Sequence, residues 1–271
     1  MKTIDDILKN KNINPTYLKT EEQKCLNALS SSQFGKIIKL FDCFTALFSD
    51  DINNHCNRLT NNDIKILFFH ECFKRLHLAI EMNKRGYFIE SIGLLRTAFE
   101  LNKTINAMNK GIITPIEFFG QARGPEFAAL SEDEKQSIIE QYQKSIMSKV
   151  DTFDDQAVPD TIKPNLRIFK KNMHNSVHRA FNNLITEVSE FNNGTFSHLF
   201  APDTKVSNYE SSVNYLSFLI LMFLRNWRNS EFFKDDGQNT IQDIIEFIEN
   251  SYSSMGKQFH SDVINYIQTK Y

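Results

Sequence analysis

Two one-turn spacings are where residue type and position combine into chemistry in this chain. Arg96 and Glu100 stand four residues apart in Gly93-Leu94-Leu95-Arg96-Thr97-Ala98-Phe99-Glu100, and His174 and His178 do so in His174-Asn175-Ser176-Val177-His178. Four residues is close to one turn of α-helix, so each pair shares a face. The Arg96–Glu100 pair has two readings. One is an ordinary surface ion pair worth about 0.2–0.5 kcal/mol. The other is a pair in a cleft that organises a site, with Gly93 letting another backbone approach. The histidines have three readings. They are structural, they chelate a metal, or they move a proton and contact an anion. A metal would need a third ligand such as Glu90 or Glu100 from another helix, because no carboxylate is adjacent and His-Glu-x-x-His is absent. Arg167 and Lys171 continue the histidine stripe, and cations there disfavour a metal and favour phosphate or RNA. The candidate catalytic residues are therefore His174, His178, Arg96 and Glu100, and the candidate ligand-binding residues are Arg167 and Lys171. No metal ligand set and no cofactor is assigned.

The elements that must position these residues read as helices. The stretch Tyr87 to Met108 puts Glu90, Gly93, Arg96, Thr97, Glu100, Lys103 and Thr104 on one arc. Phe88, Ile92, Leu94, Leu95, Ala98, Phe99, Leu101 and Ile105 occupy the other. In Asn165 to Phe191, Leu166, Phe169, Met173, Val177, Ala180, Leu184 and Val188 form a core stripe. Arg167, Lys171, His174 and His178 lie about a quarter-turn away, bordering that buried face. Asn192-Asn193-Gly194 is expected to stop this helix. Upstream, the pattern predicts helices from Asn14-Pro15 to about Ser30, from Phe34 to Phe48, and from about Asn62 to Lys84, with Asp50 to Asn54 a polar joint. Gly86 and Lys110-Gly111 read as breaks. Ser131-Glu132-Asp133-Glu134 is a capping box that starts a helix ending near Val150. Asp151 to Pro164 is acidic with two prolines and reads as a linker or lid. An apolar helix from Asn208 to Asn229 should be central. Two more, about Thr240 to Ser251 and Gly256 to Gln268, finish the chain.

This pattern implies an all-α fold, an irregular bundle of about 8–10 helices. One domain over 1–271 is expected, with N-terminal helices in 1–50, a helical core in 62–199 and C-terminal helices in 208–271. Composition narrows function further. With 31 Lys+Arg against 33 Asp+Glu, the chain has no global electrostatic footprint for nucleic acid or membrane, which leaves a local patch as the route to either. The 24 Phe and 41% hydrophobic content demand a packed core, and 9 Gly with 6 Pro are too few for a many-turned sandwich or barrel. Cys25, Cys43, Cys56 and Cys72 form no Cys-x-x-Cys, and three sit in helical apolar patterns, which suits buried free thiols in the cytoplasm. The first residues lack the apolar run of a signal peptide. The longest apolar run, Tyr215 to Leu224, is too short to span a bilayer, so no membrane partner is expected.

Gly86 to Met108, with its Leu-Leu-Arg-Thr-Ala-Phe-Glu, resembles a bacterial family of helical domains of unknown function. That family's pattern is an Arg-x-x-x-Glu helix followed, after a helical insert, by Ser-x-x-His or Ser-Val-His, here Ser176 and His178. The resemblance covers roughly Asn62 to Leu199. It implies an intracellular all-α domain in which Arg96, Glu100 and His178 converge, and it implies no reaction. Arg167 and His174 also form Arg-x6-His, a spacing similar to that of HEPN-type domains, whose ribonuclease members use arginine and histidine without a metal. Residue 168 is Ile where that pattern has a polar residue. Three functions follow as expectations. The first is a binding or regulatory module with a groove for an anionic ligand or partner. The second is a HEPN-like metal-independent ribonuclease in phage defence or a toxin system. The third is a metal-dependent hydrolase using His174 and His178. Chemistry at a homodimer interface is compatible with each.

Overall fold

The computed structural model describes residues 16–32, 34–56, 65–115, 117, 128–156, 163, 167, 170–171, 189–192, 195–198, 206–233, 238–254 and 267. Among them the architecture is an all-α multi-helix bundle: α1 (Tyr17–Ser30), α2 (Gly35–Cys56), α3 (Lys65–Lys84), α4 (Phe88–Asn109), α5 (Glu132–Gln156), α6 (Val206–Arg228) and α7 (Gln238–Ser254). Helices α3, α4 and α6 form the centre; α1 and α2 pack on one side, α5 lies chiefly against α4, and α7 against α6 and α2. No helix among the described residues is long and apolar enough to cross a membrane.

Local chemistry explains most helix ends. Gly86 and Gly111 stop α3 and α4 with φ of 87° and 69°, the left-handed region that glycine adopts without a Cβ penalty. The capping box at α5 is present: Glu134 N–H donates to Ser131 Oγ at 3.4 Å, and the Ser131 N–H donates to Glu134 Oε2 at 2.9 Å. The Ser131 hydroxyl also donates to Glu134 Oε2 at 2.7 Å, and this bond first, with the one from the Ser131 N–H, holds the Glu134 carboxyl below its ordinary value.

The core is aromatic. The ring of Trp227 on α6 meets Phe48 of α2 and Phe69 of α3 edge-on, at 5.5 and 5.1 Å, and Phe223 meets Phe44, Phe48 and Phe69 in the same manner. Such T-shaped pairs add about 0.5–1.5 kcal/mol each beyond area burial. Polar groups cross this core in matched sets. Asn226 Nδ2 on α6 donates to the Asn102 carbonyl and to Asn102 Oδ1 on α4, at 3.0 and 3.2 Å. Asn102 Nδ2 returns a bond to the Leu219 carbonyl, and Asn109 Nδ2 donates to the Asn226 carbonyl at 2.8 Å. At the end of this row the Lys65 ammonium bonds Asn109 Oδ1 and pairs with Glu231. These bonds fix the register of α4 against α6.

Several expectations change. Asp50 to Asn54 is no joint, because α2 runs on to Cys56 with Ile52 buried as its next core residue. Likewise α5 passes Val150 and continues to Gln156, so the first six residues of the acidic stretch are helix and not linker. No Gly or Pro interrupts them, and Phe153 packs partly buried against the core. Residues 157–162 lie outside the described residues. Ser189–Asn192 pairs antiparallel with Thr195–His198, with Asn192 opposite Thr195. The expected helix therefore does not reach Phe191. Asn193-Gly194, read as part of a helix stop, lies outside the described residues. Of the expected last helix only Ile267 is described; it is helical and buried.

Candidate functional site

The site is built on one face of α4. Arg96, Phe99, Glu100 and Lys103 follow at three- and four-residue steps, so the helix stacks them along one stripe. Arg96 and Glu100 are half-buried. The Glu100 carboxylate accepts from Lys103 at 2.8 Å, and Lys103 also donates to Asp151 of α5 at 2.5 Å. Burial across this trio is uneven. The Lys103 side chain is 3% exposed, whereas those of Glu100 and Asp151 are 40% and 54% exposed. A buried ammonium is thus held by two carboxylates that reach water, a geometry that limits the desolvation cost to one ion. Lys103 and Thr104, read as part of the Arg96/Glu100 arc, are both buried.

Phe99 is the floor of the cluster. The Lys103 ammonium lies 5.4 Å from its ring centroid and that of Lys170 lies 5.7 Å from it, both within cation–π range. The ring is itself buried and stacks on Phe218 of α6 at 6.4 Å. Lys170 thereby fixes where the Arg167/Lys171 segment sits: against the Arg96/Glu100 face of α4. Lys163, Arg167, Lys170 and Lys171 are each helical. Arg167, Lys171 and Lys163 are exposed.

Of the candidates drawn from sequence, Arg96 and Glu100 share the stripe, and Arg167 and Lys171 flank the lysine that closes on it. His174 and His178 lie outside the described residues. Among the described residues no backbone approaches Gly93, where a built Cβ meets none of their atoms within 4 Å. Lys103, Lys170 and Asp151 were missed. Arg96-x6-Lys103 with Glu100 between them shows in sequence as a charged stripe, but its partner on α5 does not. Cys25 and Cys72 are free and buried as expected, whereas Cys43 is free and exposed, its helix face pointing away from the core. Burial pushes the Cys72 thiol well up, and it donates weakly to the Ala98 carbonyl at 3.6 Å. Among the described residues, no three His, Cys, Asp or Glu side chains are grouped to hold a metal ion.

Chemically the cluster can do two things. It can hold an anion, because two ammonium groups are seated on the Phe99 ring, which keeps each oriented. It can also hold α5 in place through Asp151. Comparison with protein-family models, with curated proteins and with solved structures found no match to the chain.

Proposed function

We propose that this protein is a binding or regulatory module for a phosphate-bearing ligand, with single-stranded RNA as its ligand class. One observation carries the reading: Lys170 is seated over Phe99 beside Lys103, which sets Arg167 and Lys171 at the rim of the Arg96/Glu100 face. Lys103 is balanced by Glu100 and Asp151, so the positive charge that a ligand meets comes from the exposed Arg167 and Lys171. Arginine and lysine there supply forked and single-point phosphate contacts respectively. The free thiols fit a reducing cytoplasm. The likeness to bacterial helical domains supports the same face, since it implies that Arg96, Glu100 and His178 converge, and the HEPN-type spacing supplies Arg167 and His174.

The test is retention of a labelled mixed RNA pool by the full chain in EDTA. Retention should fall as salt rises, and Arg167→Glu/Lys171→Glu should weaken it by about 10-fold or more, two phosphate contacts being lost and two repulsions added. Absence of retention, or retention indifferent to that double variant, overturns the reading. The same tubes are read for cleavage beside His174→Ala/His178→Ala. RNA shortened by the wild type alone would replace binding with a metal-independent ribonuclease, the acid–base work falling to those histidines.

A further inference from the structure

We propose that Asp151 is an internal stand-in for the anionic ligand, so that α5 caps the Phe99–Lys103–Lys170 cluster until a phosphate takes the carboxylate's place. The inference rests on the anion-binding reading and adds its regulation.

Lys103 is the most buried charge of the cluster, yet its partners are not buried with it, and one of them belongs to a different helix. The Asp151 carboxylate presents to the ammonium the same kind of oxygen, at the same kind of distance, that a phosphate would. It is also one charge with two oxygens. A phosphate carries more charge and more acceptor oxygens for the same ammonium. The ligand therefore has the differential affinity that a displacement requires.

The attachment of α5 suits such a device. The helix lies chiefly against α4, and among its described residues only Ile146 and Val150 are fully buried. Asp151 directly follows Val150. Its ion pair thus sits at the anchored end of a helix whose residues from Glu132 to Ser145 are mostly exposed. Losing that pair removes the charged part of the anchor and leaves the apolar part.

The experiment uses the full chain with labelled single-stranded RNA and, separately, inorganic pyrophosphate. Asp151→Asn keeps the shape and removes the competing charge. It should tighten binding of both probes by about 5-fold, the worth of a partly exposed ion pair expressed as affinity. Lys103→Met added to it should abolish the gain. In the wild type, pyrophosphate should speed amide exchange in residues 146–156. Glu100→Gln, which strips the other carboxylate from the same ammonium, is the second variant if Asp151→Asn does not fold. Unchanged or weaker binding by Asp151→Asn, or a gain that survives Lys103→Met, overturns the cap while leaving the RNA reading to its own test. Tighter pyrophosphate binding without any RNA retention keeps the cap and removes RNA. No binding of either probe by any form overturns both.

Discussion

Asn102 and Asn226 are completely buried and bonded to each other across α4 and α6, so they should behave as one unit when cut. In Asn226→Leu, the side chain keeps roughly its volume but loses both Nδ2 bonds. Asn102 Oδ1 is then left in the core without its Asn226 donor. An unsatisfied buried acceptor costs about 1–3 kcal/mol, so a loss of about 2 kcal/mol is expected. Asn102→Leu removes one of the two Asn226 Nδ2 bonds and leaves the one to the residue-102 backbone carbonyl, so it should cost less, about 1 kcal/mol. The double variant strands neither, and Asn226 Oδ1, which has no partner among the described residues, goes with it. Replacing both partners by apolar groups of similar shape is close to neutral, so the double should cost well under the sum, with a coupling of about 2 kcal/mol. The assay is urea unfolding followed by the fluorescence of Trp227, the chain's one tryptophan, whose ring lies 2% exposed one residue from the exchange. Far-UV circular dichroism supplies the second probe. Additivity of the two single variants to within about 0.5 kcal/mol would refute the account of this row as a matched set.

Two further outcomes follow from the glycines and the cap. Gly86→Ala should destabilise by about 1–2 kcal/mol because its φ of 87° is left-handed, whereas Gly93→Ala, in mid-helix with open space around it, should stabilise by about 0.8 kcal/mol; thermal unfolding of both reads the contrast directly. Glu134 should titrate below its ordinary 4.5 by carbon-detected NMR, since its Ser131 bonds lower the folded value. That lowered value means the cap's contribution is complete above the unfolded carboxylate pKa and is lost as pH falls through the folded one. Amide protection in the first turn of α5 should follow it down. A midpoint that does not move in Ser131→Ala would remove the cause given for the shift.

Helices were legible wherever one face was strongly apolar and glycine or a cap marked the end. Phe69, Phe73, Leu76 and Ile80 announced α3, Gly86 ended it, and Ser131 to Glu134 started α5 to the residue. What was illegible depended on partners from elsewhere in the chain. Asp151 looked like the start of an acidic linker because its charge is only useful opposite Lys103, which lies 48 residues away. Lys103 looked solvated for the same reason, as a lysine is buried only where the fold brings it an anion. Ser189 to Phe191 was read as the end of a helix, and its pairing with Thr195–His198 shows only in the fold. The Arg96/Glu100 stripe was readable as a face, but its contents were not: Glu100 is engaged by Lys103, and Phe99, counted only as core, offers its ring to two ammonium groups.

The one-ended attachment of α5 also has a mechanical consequence. Past Tyr142, which packs against the core, the helix extends to Glu132 over about 15 Å at 1.5 Å per residue. A pivot of about 10° there would carry Glu132 through roughly 3 Å. Under the displacement proposed for Asp151, the helix would act as a pointer whose far end moves farther than the ion pair itself.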